Sequence, residues 1–310
     1  MIDSIIETIG LTKTFKETHA VDGLDLTVGS GELFGLVGPD GAGKTTTLRL
    51  FAGLLSLSAG QATVLDHNLR KESEAIKREI GYMAQQFSLY AELSVLENLQ
   101  FFAEIYDVPK AEIAQRTESL LEFARLTEFK DRRADHLSGG MQKKLALACT
   151  LIHEPKLLLL DEPTTGVDPV SRREFWDILT DLHLTGTTII VSTPYMDEAD
   201  RCSRVGLMYA GKMVICDSPR KIRETLHGEM IEFLTDEWKE AKALVEGLPG
   251  VLEAQTYGEA LHLLVDNGDK RLKQITKALS KNGIKFRGAR VAPVRMEEAF
   301  ISLIQGIENE

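Results

Sequence analysis

The sequence is short of cysteine, of basic excess and of long apolar runs, and each shortage removes a class of protein. Its three cysteines, Cys149, Cys202 and Cys216, are odd in number and show no C-x-x-C spacing. They form neither a disulfide framework nor a zinc site, and they fit a reducing cytoplasm. No apolar run approaches the roughly 18–20 residues that span a bilayer, which excludes an integral membrane protein. The N-terminal residues, with Asp3 and Glu7 among isoleucines, lack the basic start and apolar stretch of a secretory signal. Lys and Arg number 36 against 47 Asp and Glu, a formal charge of −11, and such a surface is unsuited to nucleic acid or to anionic membrane. Low-complexity tracts and obvious repeats are absent too. What is present is an ordinary globular composition, 43% hydrophobic and 27% charged over 310 residues, enough for one large domain or a main domain with a small one.

Residues 5 to 37 read as short β segments, Ile5–Ile9, Val21–Val28 and Glu32–Val37, with Gly29-Ser30-Gly31 as a turn. Thr45–Leu55 has helical apolar spacing. Ser94-Val-Leu-Glu97 is a capping-box pattern opening an amphipathic helix to about Tyr106, ended by Pro109, and Ala111–Arg125 begins another. Strand patterns return at Lys156–Leu160 and Thr187–Ser192; between them Asp168-Pro169 looks like an N-cap opening Val170–Leu182. Strands alternating with helices imply a parallel sheet. Val205–Tyr209 and Met213–Cys216, joined at Ala210-Gly211, look like a closing hairpin. From about residue 222 the order changes to strand Met230–Leu234, helix Trp238–Gly247, strands Val251–Tyr257 and Ala260–Val265 around Gly258, helix Lys270–Lys281, strand Lys285–Val291 and a last helix from Met296. That β-α-β-β-α-β order suggests a small ferredoxin-like domain.

Three segments carry chemistry. Gly38-Pro39-Asp40-Gly41-Ala42-Gly43-Lys44-Thr45 fits G-x-x-x-x-G-K-[ST] and has a strand before it and a helix after. Its glycines let backbone amides and the helix N-terminus approach phosphate closely; Lys44 reaches the terminal phosphates and the Thr45 hydroxyl can ligate Mg²⁺. Leu157-Leu-Leu-Leu-Asp161-Glu162 is a buried strand ending in two acids. Asp161 can hold Mg²⁺ through water, and Glu162 is a candidate base for an attacking water. Leu137-Ser138-Gly139-Gly140-Met141 opens a helix with a stripe at Leu145, Ala148 and Ile152. Ser138 can cap it, and two glycines leave amides open at its positive end, an anion site without a cation.

Together these residues resemble the ATP-binding cassette family, and specifically the ATPase subunits of exporters of the ABC-2 type. The resemblance covers about the first 220 residues, with the motifs in the family's order. It implies that Gly38–Thr46 is the Walker A loop, Leu157–Asp161 Walker B and Glu162 the catalytic base. It implies that Gln85, in Gly81-Tyr-Met-Ala-Gln85, contacts Mg²⁺ and the attacking water and couples the site to a permease, with Gln86 as an adjacent contender. Ser138, Gly139 and Gly140 then close over the ATP of an opposite subunit. Asp168 matches the D-loop, although capping alone explains it as well. Phe15 fits the position that stacks on adenine, against the competing reading of a core phenylalanine. Ala292-Pro-Val-Arg-Met-Glu-Glu-Ala-Phe300 is similar to an ending of the same subfamily.

The chain also departs from the family. Val191-Ser-Thr-Pro194-Tyr-Met-Asp-Glu198 has proline where the family has a histidine that contacts the γ-phosphate and the water. Proline has no side-chain donor and no N–H. His67, His136 and His153 lie elsewhere, and nothing in the sequence makes one a substitute. Met141 stands for the usual glutamine and Asp40 for the usual asparagine, where it adds a negative charge near phosphate. Loss of one positioned donor costs on the order of 10²–10³ in rate, so slow hydrolysis of bound Mg-ATP is expected. The combination resembles the first half of tandem two-cassette exporter ATPases.

The expected fold is therefore α/β: a P-loop NTPase cassette over residues 1–221, with a mixed β subdomain, a parallel-sheet core and a helical subdomain at about 88–150, followed by a small α+β ferredoxin-like domain at 222–310. The expected function is an ATP-hydrolysing subunit of a membrane exporter. It would use ATP and Mg²⁺ and sit on the cytoplasmic face of the cell membrane through an integral-membrane ABC-2 type permease. A second cassette would complete a heterodimer or homodimer, and nucleic acid is not an expected partner. The alternatives are a regulatory nucleotide-binding subunit with little hydrolysis and a soluble cassette outside transport. A small-GTPase reading fails because no Asn-Lys-x-Asp segment is present.

Overall fold

Strands buried on both faces organise the first half of the molecule. The computed structural model describes residues 4–86, 89–226, 228–257 and 260–308, and they divide into two compact units between Pro219 and Arg220.

In the first unit, β1 (Ser4–Phe15) and β2 (Thr18–Gly29) form a long antiparallel pair. The strand β3 (Leu33–Val37) then enters a different sheet, and helix α1 (Lys44–Phe51) follows it. Next come β4 (Ala59–Val64), β5 (His67–Asn68), helix α2 (Ser73–Glu79) and β6 (Ile80–Met83). Helices α3 (Val95–Ile105), α4 (Lys110–Phe123) and α5 (Gly139–Leu151) form the helical part. The chain then returns through β7 (Leu157–Asp161), α6 (Pro169–Leu184), β8 (Thr188–Thr193), the short α7 (Met196–Ala199), β9 (Arg204–Tyr209) and β10 (Lys212–Asp217). The order in the main sheet is β10-β9-β3-β8-β7-β6, parallel throughout except for the edge hairpin β9–β10. All residues of β3, β7 and β8 are buried, which is why they read as continuous apolar runs and not as alternation.

Register decides what shares an edge. Val37 lies beside Thr193, Ser192 beside Asp161 and Leu160 beside Met83. The residues just past these strand ends, Gly38, Pro194, Glu162 and the loop carrying Gln85, therefore open on one side of the sheet.

Several elements differ from the sequence-based expectation. The first two strands are 12 residues each, because Lys13, Thr14 and Phe15 continue the ladder past bulges between Thr8 and Lys13 that alternation alone does not reveal. β4 exposes its first three residues and buries only Ala62 and Val64, so it has no strand signature, and Ile76 is the buried residue of α2. Helix α1 begins at Lys44 and stops at Phe51, before the expected Leu55. Helix α3 ends at Ile105 without Pro109: Asp107 turns the chain at φ 54°, and Pro109 is instead the N-cap of α4. The capping box forms as expected, Glu97 N–H donating to Ser94 Oγ at 3.1 Å and Ser94 N–H to Glu97 Oε2 at 2.7 Å. The helices pack through Val95, Leu99, Leu121, Leu145 and Ala148. The expected start of the helical portion, residue 88, lies outside the described residues.

The second unit begins with α8 (Pro219–Glu224 spans the division) and continues β11 (Glu229–Leu234), α9 (Trp238–Glu246), β12 (Val251–Tyr257), β13 (Ala260–Val265), α10 (Gly268–Lys281), β14 (Arg287–Ala292) and α11 (Met296–Glu308). The sheet order is β12-β13-β11-β14 with every neighbouring pair antiparallel, which is the ferredoxin-like arrangement expected from the sequence. Ala241 and Val245 of α9 and Ile275 and Leu279 of α10 cluster with Ile231, Phe233, Leu261 and Leu263. Gly258, the expected turn, lies outside the described residues. Among the described residues no helix is long and apolar enough to cross a membrane.

Candidate active site

The loop after β3 wraps the start of α1. Gly43, the N-cap, sits at φ 104°, and a Cβ there would lie 2.4 Å from the Ala20 carbonyl oxygen, so only glycine fits. It supplies no side-chain cap, and the first amides of α1 stay open to an anion. A cavity of about 420 Å³ lies here, lined by Ala20, residues 40–46, Gln85 and Glu162. Asp40 is exposed on its rim, which leaves the carboxylate in solvent.

Lys44 is 4% exposed. Its ammonium donates to the carbonyls of Gly38 at 2.8 Å and Pro39 at 3.0 Å and faces Glu162 Oε1 at 3.2 Å. Thr45 Oγ1 donates to Asp161 Oδ1 at 2.9 Å. The same oxygen accepts from Ser192 Oγ at 2.7 Å, and Asp161 Oδ2 accepts from the Tyr82 hydroxyl at 3.3 Å. Glu162 N–H donates to both Ser192 Oγ and Ser192 O, at 3.0 and 3.1 Å. The Gln85 side-chain amide donates to Glu162 Oε2 at 2.7 Å. Glu162 itself holds φ 45°, a conformation costing a non-glycine residue about 1–3 kcal/mol and concentrated at functional sites. Burial pushes the Tyr82 hydroxyl up, with Arg49 opposing and Asp161 assisting. Burial also pushes the Lys143 ammonium down, while Asp161 and Glu162 pull it upward.

Lys44, Thr45, Gln85, Asp161 and Glu162 thus meet at one place beside the loop 38–46. The other candidates lie elsewhere. Phe15 is 45% exposed and does not line the cavity, with Lys13 Nζ 5.0 Å from its ring centroid; such exposure corrects the competing core reading. Ser138 caps α5, accepting from Met141 N–H at 3.3 Å, and both Ser138 and Gly139 are exposed. Gly140 is buried: a Cβ there would lie 2.5 Å from the Ser171 side chain, so its absence lets α5 and α6 start side by side. Asp168 caps α6, accepting from Val170 and Ser171 N–H at 3.1 and 3.0 Å, and hydrogen bonds to Ser171 hold its carboxyl below the usual range. Pro194 is half-buried and does not line the cavity. Nor do the three histidines. His67 pairs with Glu79 at 3.0 Å, His136 lies 3.7 Å from Asp135, and His153 stacks on Tyr106 and reaches the Ile80 carbonyl at 2.9 Å.

Ser192, Tyr82 and Lys143 have no functional role legible in the sequence. Ser192 and Tyr82 come to Asp161 through strand register, which no local motif encodes. Lys143 follows the Leu137–Met141 segment, and its ammonium donates to the Gln85 carbonyl at 2.6 Å.

A phosphate-cradling loop, a buried lysine and two acids in this arrangement suit nucleoside triphosphate chemistry. The sequence profile described as ABC transporter matches residues 21–165. The Nod factor export ATP-binding protein I of Rhizobium sp. (strain N33) is 39% identical over 258 residues, 83% of this chain and 84% of that protein. The chain belongs to the ABC transporter family. The chain is also 39% identical over 310 residues to the "Probable multidrug ABC transporter ATP-binding protein YbhF" of Escherichia coli (strain K12), covering 99% of this chain and 53% of that protein. The chain thus spans about half the length of the curated relatives it matches first. A solved dimeric ATP-binding cassette in a post-hydrolysis state, bound to ADP and Pi, superposes on the cassette with a TM-score of 0.63 at 26% identity, over 69% of this chain and 98% of that one. The expected P-loop cassette fold and ATP-binding family are borne out.

Proposed function

We propose that this cassette is the ATP-hydrolysing subunit of a membrane exporter. The observation that carries the reading is the convergence of Lys44, the Thr45–Asp161 pair and the Gln85–Glu162 pair on the loop 38–46. In the proposed site the amides of residues 41–46 cradle phosphates and Lys44 exchanges its carbonyl contacts for the terminal phosphates. The Thr45 hydroxyl, the Asp161 carboxylate and the Gln85 side-chain oxygen form a hard, oxygen-rich set that fits Mg²⁺. When bound, that ion neutralises phosphate charge. Glu162 accepts a proton from the attacking water, held in place by Ser192 and Gln85. Phe15, at the end of β1, stacks on adenine.

Ser138, Gly139 and Gly140, exposed or packed at the paired starts of α5 and α6, complete the ATP site of a second cassette, with Asp168 beside them. A separate integral-membrane permease of the ABC-2 type receives the motion, which places the chain on the cytoplasmic face of the membrane. Two relatives named for export or multidrug transport and a dimeric structural neighbour support this reading. The site is intrinsically slow, because Pro194 offers no donor to the γ-phosphate. That same proline favours a second reading, a regulatory subunit in which ATP-dependent dimerisation matters more than turnover.

Mg-ATP turnover of the purified chain, of Pro194→His and of Glu162→Gln decides between them. Slow turnover that rises about 10-fold or more with the histidine and vanishes with the glutamine supports an attenuated ATPase. Equal background rates in all three favour the regulatory reading, and brisk wild-type turnover indifferent to Pro194→His makes the homodimer self-sufficient.

A further inference from the structure

Helix α5 is tied to its two neighbours by adjacent lysines. Lys144 pairs with Glu174 of α6, and Lys143 donates to the Gln85 carbonyl at 2.6 Å. Successive residues on a helix point about 100° apart, so one turn of α5 grips both sides at once. Gln85 in turn places its side-chain amide 2.7 Å from Glu162 Oε2. A continuous path therefore runs from the capped N-terminus at Ser138, along the first turns of α5, through Lys143 to Gln85 and on to Glu162. Lys143 is half-buried, and the charges of Asp161 and Glu162 act on its ammonium. Its partner is a backbone carbonyl, so what it fixes is the path of the Gln85 segment.

We propose that Lys143 is a positioning residue for hydrolysis: by holding the Gln85 carbonyl it sets the Gln85 amide on Glu162, and it couples the position of the α5 N-terminus to this chain's own base. The inference rests on the reading of Glu162 and Gln85 as hydrolytic residues. Any displacement of α5 by a group bound at Ser138–Gly140 is then passed to the chain's own Glu162 through Lys143 and Gln85.

The test uses the full chain with Mg-ATP and four variants: Lys143→Met, Lys143→Arg, Gln85→Ala and the double Lys143→Met/Gln85→Ala. Lys143→Met keeps the stem and removes the donor. It is expected to lower kcat about three- to thirtyfold, the range of a single coupling contact, with little change in KM for ATP or in thermal midpoint. Lys143→Arg restores most of the rate, since a guanidinium can donate to the same carbonyl. In the Gln85→Ala background Lys143→Met adds almost nothing, because coupled residues are not additive. Hydrogen exchange supplies a readout independent of turnover: amides of residues 80–86 exchange faster in Lys143→Met while those of α5 do not change. Additive losses, an unchanged kcat, or unchanged exchange at 80–86 overturns the proposal. If wild type and Glu162→Gln share one background rate, the hydrolytic reading fails instead, and the exchange result alone then decides whether Lys143 tethers the segment.

Discussion

At the residue scale, buried charges are held by more than one partner, and this sets what a substitution does. Glu162 answers to Lys44, Gln85 and the Ser192 backbone and side chain, so replacing it leaves a buried ammonium without its counter-charge. In the second unit, His262 and Glu298 are both nearly inaccessible and meet at 2.8 Å, with Arg295 N–H donating to the other Glu298 oxygen at 2.6 Å. Burial works to raise the Glu298 carboxyl, but the His262 and Arg295 hydrogen bonds outweigh it and hold it below its ordinary value. A carboxyl lowered by folding stabilises the protein above its unfolded pKa of about 4.3 and loses that contribution as pH falls through the folded value. Glu298→Gln is therefore expected to cost about 1–3 kcal/mol at pH 7, with the difference shrinking below about pH 4. Urea unfolding of both proteins across pH 3–7 measures it.

At the element scale, helix starts carry the burden. The Ser94–Glu97 box closes the first turn of α3, so Ser94→Ala should cost about 1 kcal/mol, read as a lower denaturant midpoint with unchanged slope. The starts of α5 and α6 are more sensitive, because Gly140 lies against Ser171 where a methyl would sit 2.5 Å from its side chain. Helix α6 is held by a second set of contacts: Arg172 donates to Glu198, which also accepts from Thr164 and Thr193. One buried carboxylate thus joins the stretch after Glu162, the stretch before Pro194 and the helix that Asp168 caps. Pro194 is set between anchored residues, which explains how a residue with no donor keeps an ordered place there.

For the whole molecule, the two units have separate cores, and the proposed site belongs to the first alone. Exposed Ser138 and Gly139 do not line their own chain's cavity, so the proposed function requires a second cassette. With Glu162→Gln to block hydrolysis, Mg-ATP is expected to shift the chain toward a dimer in sedimentation velocity, and Ser138→Arg to abolish the shift. A chain that stays monomeric with ATP at every concentration points to an obligate heterodimer.

The features legible in the residues alone are local. A phosphate loop is contiguous, so Gly38–Thr45 announces its own turn and helix. The strand Leu157–Leu160 is buried on both faces, so it reads as an apolar run ending in Asp161 and Glu162, and the ferredoxin-like order of the second unit follows from alternating element types. The tertiary structure decided everything that depends on register or packing between distant segments. Ser192 meets Asp161 because β7 and β8 pair in one particular alignment. Lys143 meets Gln85 because α5 packs against the loop after β6, and β4 is a strand because β1 offers it an edge. Such contacts join residues far apart in the chain, and their energy comes from burial and pairing that no short stretch of sequence contains.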